Sequence, residues 1–459
     1  MADLYPVYMD IGGVRTKCTA YKDIQGVRTL ISSAQSEEQL IPVPENFLTF
    51  SSDESFSISV YTNYINWDGT LYYSTDTETW SEWDGLKIIN SAEHNGKQRI
   101  YMCGRGNSVI AGSTSSYQWH ISGNNISCNG NIESLLDYET VANGKHPTMA
   151  EYCFGFMFFG CTSLTTAPEL PATTLATYCY NRMFDGCTSL TTAPELPATT
   201  LAEYCYNGMF DGCTSLTTAP ELPATTLAAY CYYDMFKGCT SLTTAPELPA
   251  TTLADRCYNN MFNGCTSLVT APKLPATNLA KHCYYSMFNG CTSLTTAPEL
   301  PAITVAERCY SNMFQGCTSL TTAPELPATT LAVYCYEYMF DGCTSLVTAP
   351  ELPATTLSGN CYGYMFNGCT ALTTLPLLPA IEMLASSYNS MFKGCIGIKI
   401  SQTQTDEYQT AYRIPTSGEG KETTISWLAS LKDMFANTGG TFTGTPTINT
   451  TYYTSNTVV

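Results

Sequence analysis

The central part of the chain repeats one pattern of apolar and polar positions every 26 residues. One copy, residues 201–226, reads LAEYCYNGMFDGCTSLTTAPELPATT. A first series of cysteines recurs every 26 residues from Cys153 to Cys361, and Ser387 replaces cysteine at the tenth position of this series. Because one unit of this length cannot bury its own apolar face, the pattern predicts about ten stacked units, a solenoid over residues 147–395. A second series follows the first by eight residues: Cys161, Cys187, Cys213, Cys239, Cys265, Cys291, Cys317, Cys343, Cys369 and Cys395.

Within each unit, the spacing of the apolar residues predicts a helix followed by a strand. Thr200 and Glu203 match a capping box at the helix start, and Gly212 suits a left-handed residue after the last turn. Residues 216–219 are a short β-prone run, which Pro220 ends because proline donates no ladder hydrogen bond. The predicted fold class is therefore α/β. The apolar positions assigned to one helix face are Leu201, Ala202, Cys205, Tyr206, Met209 and Phe210.

Some positions of the predicted helix are constant and others vary between units. If the first cysteine of a unit is position 0, the variable positions are −2, −1, +2, +3 and +6, which lie on one face of a helix. They are rich in Tyr, Asn, Ser, Gly and Arg, the types that binding loops favour. The alternative is a solvated face whose residues vary between units without a binding role. For such a face Lys, Glu, Gln and Ala would be expected. The predicted ligand-binding residues are Tyr178, Arg182, Tyr204, Tyr230, Tyr233, Arg256, Asn260, His282, Tyr285, Arg308, Tyr334, Tyr338 and Tyr364.

Two other recurring residue types have a chemical and a structural interpretation. A row of carboxylates could hold Ca²⁺, but the absence of an Asp- and Asn-rich loop favours a solvated polar edge. Cysteines eight residues apart on a helix would be about 12 Å apart, which is too far for a disulfide. Zinc would need closer cysteine pairs or histidines, and the chain has four histidines. We therefore predict that the cysteines are small buried hydrophobic residues, and that the protein binds no metal and no cofactor. The carboxylates are Glu169, Glu195, Glu221, Glu247, Glu299, Glu325 and Glu351.

The flanks of the repeat region predict three further parts. Residues 46–130 alternate like strands and predict a small all-β, sandwich-like domain. Residues 131–146 predict a helical lead-in cap, and residues 396–459 a C-terminal cap. Residues 1–45 have no clear pattern and are predicted to be an attachment segment. Four tryptophans in the β region either stack on sugars or, as we prefer, belong to the core: Trp67, Trp80, Trp83 and Trp119.

Composition narrows the class of partner. The chain has 459 residues and a formal net charge of −19, which argues against binding nucleic acid. No apolar run reaches the ~18 residues of a membrane helix, so that no membrane insertion is expected. The first residues lack a basic segment followed by an apolar one, and no leader is expected. HExxH, GxSxG, P-loop and dinucleotide motifs are missing, which predicts a protein that is not an enzyme.

The phrase MFxGCTSLTxAPxLPATTLAxxCY resembles the repeats of BspA-type leucine-rich-repeat surface proteins of gut bacteria and their phages. The resemblance implies a leucine-rich-repeat-like solenoid for adhesion, with a cell-surface protein or glycan of a host as partner. Our preferred hypothesis is a tail or head fibre on a virion surface, attached to other virion proteins through the N-terminal segment. The alternatives are an extracellular adhesin on a bacterial cell surface and a structural spacer. Neither the ligand nor homo-oligomerisation follows from the sequence.

Overall fold

The structure, a computed structural model, describes residues 7–11, 14–18, 47–60, 67–423 and 428–459. The chain divides into two compact units, residues 1–45 and 46–459. In the first unit, β1 (Val7–Ile11) and β2 (Val14–Cys18) pair antiparallel. The rest of the predicted attachment segment lies outside the described residues, and its role stays a prediction.

Two sheets form the start of the second unit. Their strands are β3 (Leu48–Ser52), β4 (Ser57–Val60), β5 (Thr70–Ser74), β6 (Ser81–Trp83), β7 (Ile89–Asn90), β8 (Ala92–His94), β9 (Lys97–Arg105), β10 (Trp119–Ser122), β11 (Ile126–Asn129) and β12 (Leu164–Thr166). One sheet has the order β10-β4-β7, and the other has the order β12-β11-β3-β9-β5-β6 with β8 added on β9. Their apolar sides enclose a core that contains Phe50, Ile58 and Leu71. Trp83 and Trp119 are also buried in this core, while Trp67 and Trp80 keep some exposure.

The sheets and the repeat region share one core. Helix α1 (Ser134–Ala142) packs on β9, and a short 3₁₀ turn spans Ser115–Tyr117. Strand β11 pairs in parallel with β12, which belongs to the first repeat. The Trp119 amide donates a 2.8 Å hydrogen bond to the carbonyl of Met157. The β sheets therefore cover the apolar end of the stack, which a solenoid requires at its first unit.

The prediction of an α-helix in each unit is wrong. Among the described residues of the repeats, the segment from position −2 to position +7 is a run of consecutive turns. Every fourth residue adopts the left-handed conformation; in one unit these are Tyr204 (φ 56°), Gly208 (φ 58°) and Gly212 (φ 70°). A left-handed residue ends a right-handed turn, so that three of them in nine residues prevent a continuous helix.

The backbone hydrogen bonds explain why the turns are stable without a helix. Tyr206 donates to the carbonyl of Cys231 in the next unit at 3.0 Å, whereas Cys205 donates within its own turn to Ala202 at 3.4 Å. This alternation continues along the segment, and Gly212 again donates to the next unit, to Lys237 at 2.7 Å. Half of the amides therefore find acceptors in the next unit, and the stack supplies the hydrogen bonds that a helix would make internally.

Constant positions form vertical ladders in the core. The phenylalanines at position +5 stack with ring centroids 5.6 Å apart between Phe184 and Phe210. The tyrosines at position +1 stack at 5.8 Å between Tyr180 and Tyr206. The cysteine at +8 donates its thiol to a carbonyl in the previous unit, as from Cys213 to Phe184 at 3.1 Å. From Tyr180 and Phe184 onward, identical side chains thus pack on one another between successive repeats, which restricts their size and type.

The predicted strand is reduced to isolated parallel bridges. One row of single-residue bridges joins Thr192, Thr218 and Thr244, and a second row joins Thr226 and Thr252. Between the two rows the chain runs through the Pro-Glu-Leu-Pro segment, where proline offers no donor for a ladder. Over residues 167–373, all of which the structure describes, this side of the solenoid therefore has no continuous sheet.

A further turn segment and small sheets cover the C-terminal end. The Tyr388 amide donates to Ser430 at 3.0 Å, and that of Phe392 to Met434 at 2.9 Å, in the pattern that joins the repeats. Ser430, Met434 and Phe435 are buried where the repeats carry Cys, Met and Phe. The strands here are β13 (Thr374–Leu375), β14 (Glu382–Met383), β15 (Ile400–Ser401), β16 (Thr410–Arg413), β17 (Lys421–Glu422), β18 (Thr451–Thr454) and β19 (Thr457–Val458).

Candidate binding surface

The thirteen predicted ligand-binding residues lie in three vertical rows on the turn side of the solenoid, not on a helix face. Every one of them is partly exposed. Positions +2 and +3 supply Tyr233, Tyr285, Arg182, Asn260, Tyr338 and Tyr364. We call the first eight residues of the row at position −1 the outer ladder, and they are Tyr152, Tyr178, Tyr204, Tyr230, Arg256, His282, Arg308 and Tyr334.

The outer ladder begins with four stacked tyrosines. Ring centroids are 4.4 Å apart between Tyr152 and Tyr178, 4.4 Å between Tyr178 and Tyr204, and 4.3 Å between Tyr204 and Tyr230. The rings are tilted against one another by 10–15°. Burial and the neighbouring tyrosines raise the pKa of the Tyr204 hydroxyl. The ring faces cover one another, and what a ligand can reach is the ring edges and the hydroxyl row.

Backbone geometry holds the tyrosines in line. Each has a positive φ, between 55° and 57° for Tyr152, Tyr178, Tyr204 and Tyr230. The amide of Tyr178 donates to Glu203 at 3.1 Å, and that of Tyr204 to Ala229 at 3.2 Å. Since each residue is bonded to the next unit, the side chains emerge at intervals of one solenoid step.

Three basic residues follow the tyrosines in the outer ladder. Arg256 lies over the ring of Tyr230, 5.3 Å from its centroid, and also donates to that hydroxyl. Arg308 lies 3.9 Å from the ring centroid of Tyr334. Between them, the pKa of His282 is lowered by burial and then by the two arginines. The centre of the ladder is therefore cationic and flanked by aromatic rings.

A second cluster joins positions +3 and +6. Arg182 is 2.5 Å from Asp185 and 4.0 Å from Asp211, and Lys237 is 3.5 Å from Asp211 and 3.6 Å from Asp234. Burial and the charge of Asp211 raise the pKa of Asp185 to about 6. The acids and bases of this cluster pair with each other, which leaves little charge for a ligand.

Towards the C-terminal end, two predicted tyrosines stack at position +3. The ring centroids of Tyr338 and Tyr364 are 4.6 Å apart. Beside Tyr338, burial raises the pKa of Glu337 to about 7 against the opposing charge of Arg308. Arg308 is 3.8 Å from this carboxylate.

Sequence reasoning missed two features of this surface. Tyr152 is the first ring of the outer ladder, and its place at position −1 was a signal for it. The row at position +6 is hydrogen-bonded from unit to unit, from Asn289 to Gln315 at 2.8 Å and from Gln315 to Asp341 at 2.7 Å. The oxygens and amides of this row satisfy one another, which indicates a structural role.

The other candidate chemistries have little geometric support. The glutamates of the Pro-Glu-Leu-Pro row are exposed, and the described residues contain no group of three or more His, Cys, Asp or Glu arranged to hold a metal. The cysteines from Cys103 to Cys395 are free and buried. Burial raises the pKa of the Cys205 thiol to about 12, which opposes nucleophilic chemistry. No helix among the described residues is long and apolar enough to cross a membrane.

Comparison with known proteins identifies the repeat region. The family model for the BspA type leucine rich repeat region matches in six copies, over residues 145–269, 232–362 and 281–409. No curated protein matches the chain significantly. Among solved structures, that of a TLR13–ssRNA13 complex matches with 15% identity and a TM-score of 0.28, over 59% of this chain and 37% of that chain. The family matches together span more than half of the sequence, and the chain belongs to the BspA-type leucine-rich-repeat family.

Proposed function

We propose that this protein is a non-enzymatic adhesion protein that binds a cell-surface glycan or protein of a host through the outer ladder. The observation that carries the proposal is the stack of four partly exposed tyrosines, Tyr152 to Tyr230, at centroid distances of 4.3–4.4 Å. A merely solvated surface has no need of aromatic rings, whereas tyrosine offers contact area at low entropy cost.

The geometry restricts how a ligand makes contact. A sugar ring cannot stack on the tyrosine faces, because neighbouring tyrosines already cover them. The ligand instead meets a row of phenolic hydroxyls, which both donate and accept hydrogen bonds. A polymer with regularly spaced hydroxyl or amide groups matches such a row, because one solenoid step separates successive contacts.

For the biological setting we propose a virion component, a tail or head fibre whose N-terminal segment attaches to other virion proteins. A bacterial cell-surface adhesin is the alternative, and the family resemblance fits both. Mass spectrometry of purified phage particles and of bacterial envelope fractions separates the two. Recovery from the envelope of cells that carry no phage genes would contradict the virion proposal.

The binding proposal is tested by Tyr178→Asn, Tyr204→Asn and Tyr230→Asn in one variant. Asparagine tolerates the left-handed conformation and occurs naturally at this position as Asn360, so that the backbone is preserved. We expect saturable binding of the full chain to host-type cells, and its loss in the variant. The matched control replaces exposed threonines of the bridge rows, Thr192→Ser, Thr218→Ser and Thr244→Ser. Equal binding by all three proteins would move the site away from the outer ladder.

A further inference from the structure

The centre of the outer ladder has a symmetric order of side chains. Along successive units it reads Tyr230, Arg256, His282, Arg308 and Tyr334. Each basic residue has a positive φ, from 52° to 55°. Each donates its amide to the next unit, Arg256 to Lys281 at 3.0 Å, His282 to Glu307 at 3.0 Å and Arg308 to Val333 at 3.2 Å. Three basic side chains are thus held side by side, with a tyrosine ring at each end.

These arginines are poorly neutralised by the protein itself. Among the described residues, the contacts of the Arg256 guanidinium are the hydroxyl and the ring of Tyr230, and no carboxylate forms an ion pair with it. Among the described residues, the carboxylate that forms an ion pair with Arg308 is Glu337, at 3.8 Å. Arg182 differs, because it lies 2.5 Å from Asp185.

The acidic residues nearest the centre of the outer ladder contact Lys281, and their effect on the pKa of His282 is smaller than that of burial and the two arginines. Glu307 pairs with Lys281 at 3.3 Å, and Asp255 accepts the amide of Lys281 at 3.1 Å. Both carboxylates raise the pKa of His282, but burial and the two arginines lower it by more. Positive charge therefore prevails around His282, although the whole chain carries a net charge of −19.

We propose that Arg256, His282 and Arg308 form a subsite for the acidic group of an anionic surface polysaccharide. This inference rests on the proposed function of the outer ladder. The acidic group is a carboxylate or a sulfate, which guanidinium groups bind through paired N–H donors. The tyrosine rings hold the arginines in place, which lowers the entropy cost of binding. Hydroxyls of the same polymer then meet the phenolic row from Tyr152 to Tyr230.

The test uses the full chain and three polymers: polygalacturonate, dextran sulfate and neutral dextran. The variant is Arg256→Asn with Arg308→Asn, since asparagine keeps the left-handed backbone. The matched control, Lys273→Gln with Lys393→Gln, removes the same charge from other rows of the solenoid. Circular dichroism and thermal unfolding verify that all three proteins fold alike. We expect the arginine variant to bind an acidic polymer about tenfold to a hundredfold more weakly than the parent. The control should bind like the parent.

Each outcome decides the inference. Weakening for polygalacturonate alone assigns a carboxylate, and weakening for dextran sulfate alone assigns a sulfate. Equal binding by the parent and the arginine variant, or equal weakening in the lysine control, overturns the subsite. Equal competition by single-stranded polyuridylate at matched charge also overturns it, because the site would then read charge without sugar. If no acidic polymer binds while the tyrosine variant still loses cell binding, the subsite is wrong and the outer ladder stands.

Discussion

Tyr204 and Tyr206 are two residues apart in the same unit, and each stacks on a tyrosine of the units before and after it. Tyr206 is buried to 1% exposure, with ring centroids 5.8 Å from Tyr180 and from Tyr232. Tyr204 is partly exposed, and its neighbours are 4.4 Å and 4.3 Å away. The inner row keeps tyrosine from Tyr180 to Tyr388, whereas the outer ladder changes to arginine, histidine and tyrosine again.

The difference shows what fixes a residue in this solenoid. A ring in the core contacts side chains on every side, so that any change of volume leaves a cavity or a clash. A ring in the outer ladder is held mainly by the units before and after it, and its outer edge meets water. Evolution of a ligand surface is therefore possible at position −1 without disturbing the fold.

The largest expected contrast comes from making the same substitution at both sites. Tyr206→Asn should lower the free energy of unfolding by about 3–5 kcal/mol, because it leaves a cavity and a buried amide. Tyr204→Asn should change it by less than about 1 kcal/mol, since the site is partly exposed and its backbone suits asparagine. Urea unfolding of the full chain measures both. Equal losses would mean that the outer ladder is as much a part of the core as the inner one.

The left-handed turns can be tested at a glycine. Gly212 has a φ of 70°, and an added Cβ would meet Gly186 at an ordinary 3.8 Å. Gly212→Ala should therefore cost about 1–2 kcal/mol through backbone strain alone. The control is Gly359→Ala, whose Cβ would meet Ala385 at 3.6 Å without a left-handed backbone. If both variants lose the same stability, backbone conformation is not the reason for glycine at this position.

A hydroxyl of the inner ladder should be dispensable. Among the described residues, the Tyr232 hydroxyl is buried without a hydrogen-bond partner. Tyr232→Phe should therefore raise the free energy of unfolding by up to about 1 kcal/mol, because burying an unpaired polar group is unfavourable. Tyr204→Phe in the outer ladder should leave stability unchanged while weakening ligand binding. A clear loss of stability in Tyr232→Phe would show that this hydroxyl has a partner.

Stability is also expected to depend on pH, through Glu337. Burial raises the pKa of Glu337 from 4.5 to about 7, so that the folded state holds this proton more tightly than the unfolded state. The resulting stability is fully present below about pH 4.5 and is lost as the pH rises to about 7. Glu337→Gln should flatten this part of the profile. Urea unfolding of both proteins between pH 4.5 and about 7 measures the two profiles. Identical profiles for the parent and the variant would contradict the raised pKa of Glu337.

Sequence reasoning succeeded where a position has the same surroundings in every unit. The period and the buried series at Cys205, Tyr206, Met209 and Phe210 follow from repetition, because a stack of identical units must bury identical positions. The family was indicated by the resemblance of the repeat sequence and is confirmed by the family model. The alignment of Tyr178, Tyr204 and Tyr230 in one row follows from the same repetition.

The helix prediction is wrong because the apolar positions are spaced four residues apart, whereas a helix has about 3.6 residues per turn. Cys205, Met209 and Cys213 are four residues apart, and over eight residues a helix would drift by about 80° from that spacing. A left-handed residue at every fourth position keeps them all on the core side. The strict spacing was visible in the sequence, and it was the signal against a helix.

By itself, the sequence determined the solenoid, its period, its buried positions and the residues of the variable surface. Only the tertiary structure decided the backbone conformation, because half of the amides in the turns are bonded to the next unit and not within their own. It also decided that the ring faces of the outer ladder cover one another and that Arg256 and Arg308 lie over the rings of Tyr230 and Tyr334. These relations arise between units, whereas residue spacing within one unit reports only which side of the chain is buried.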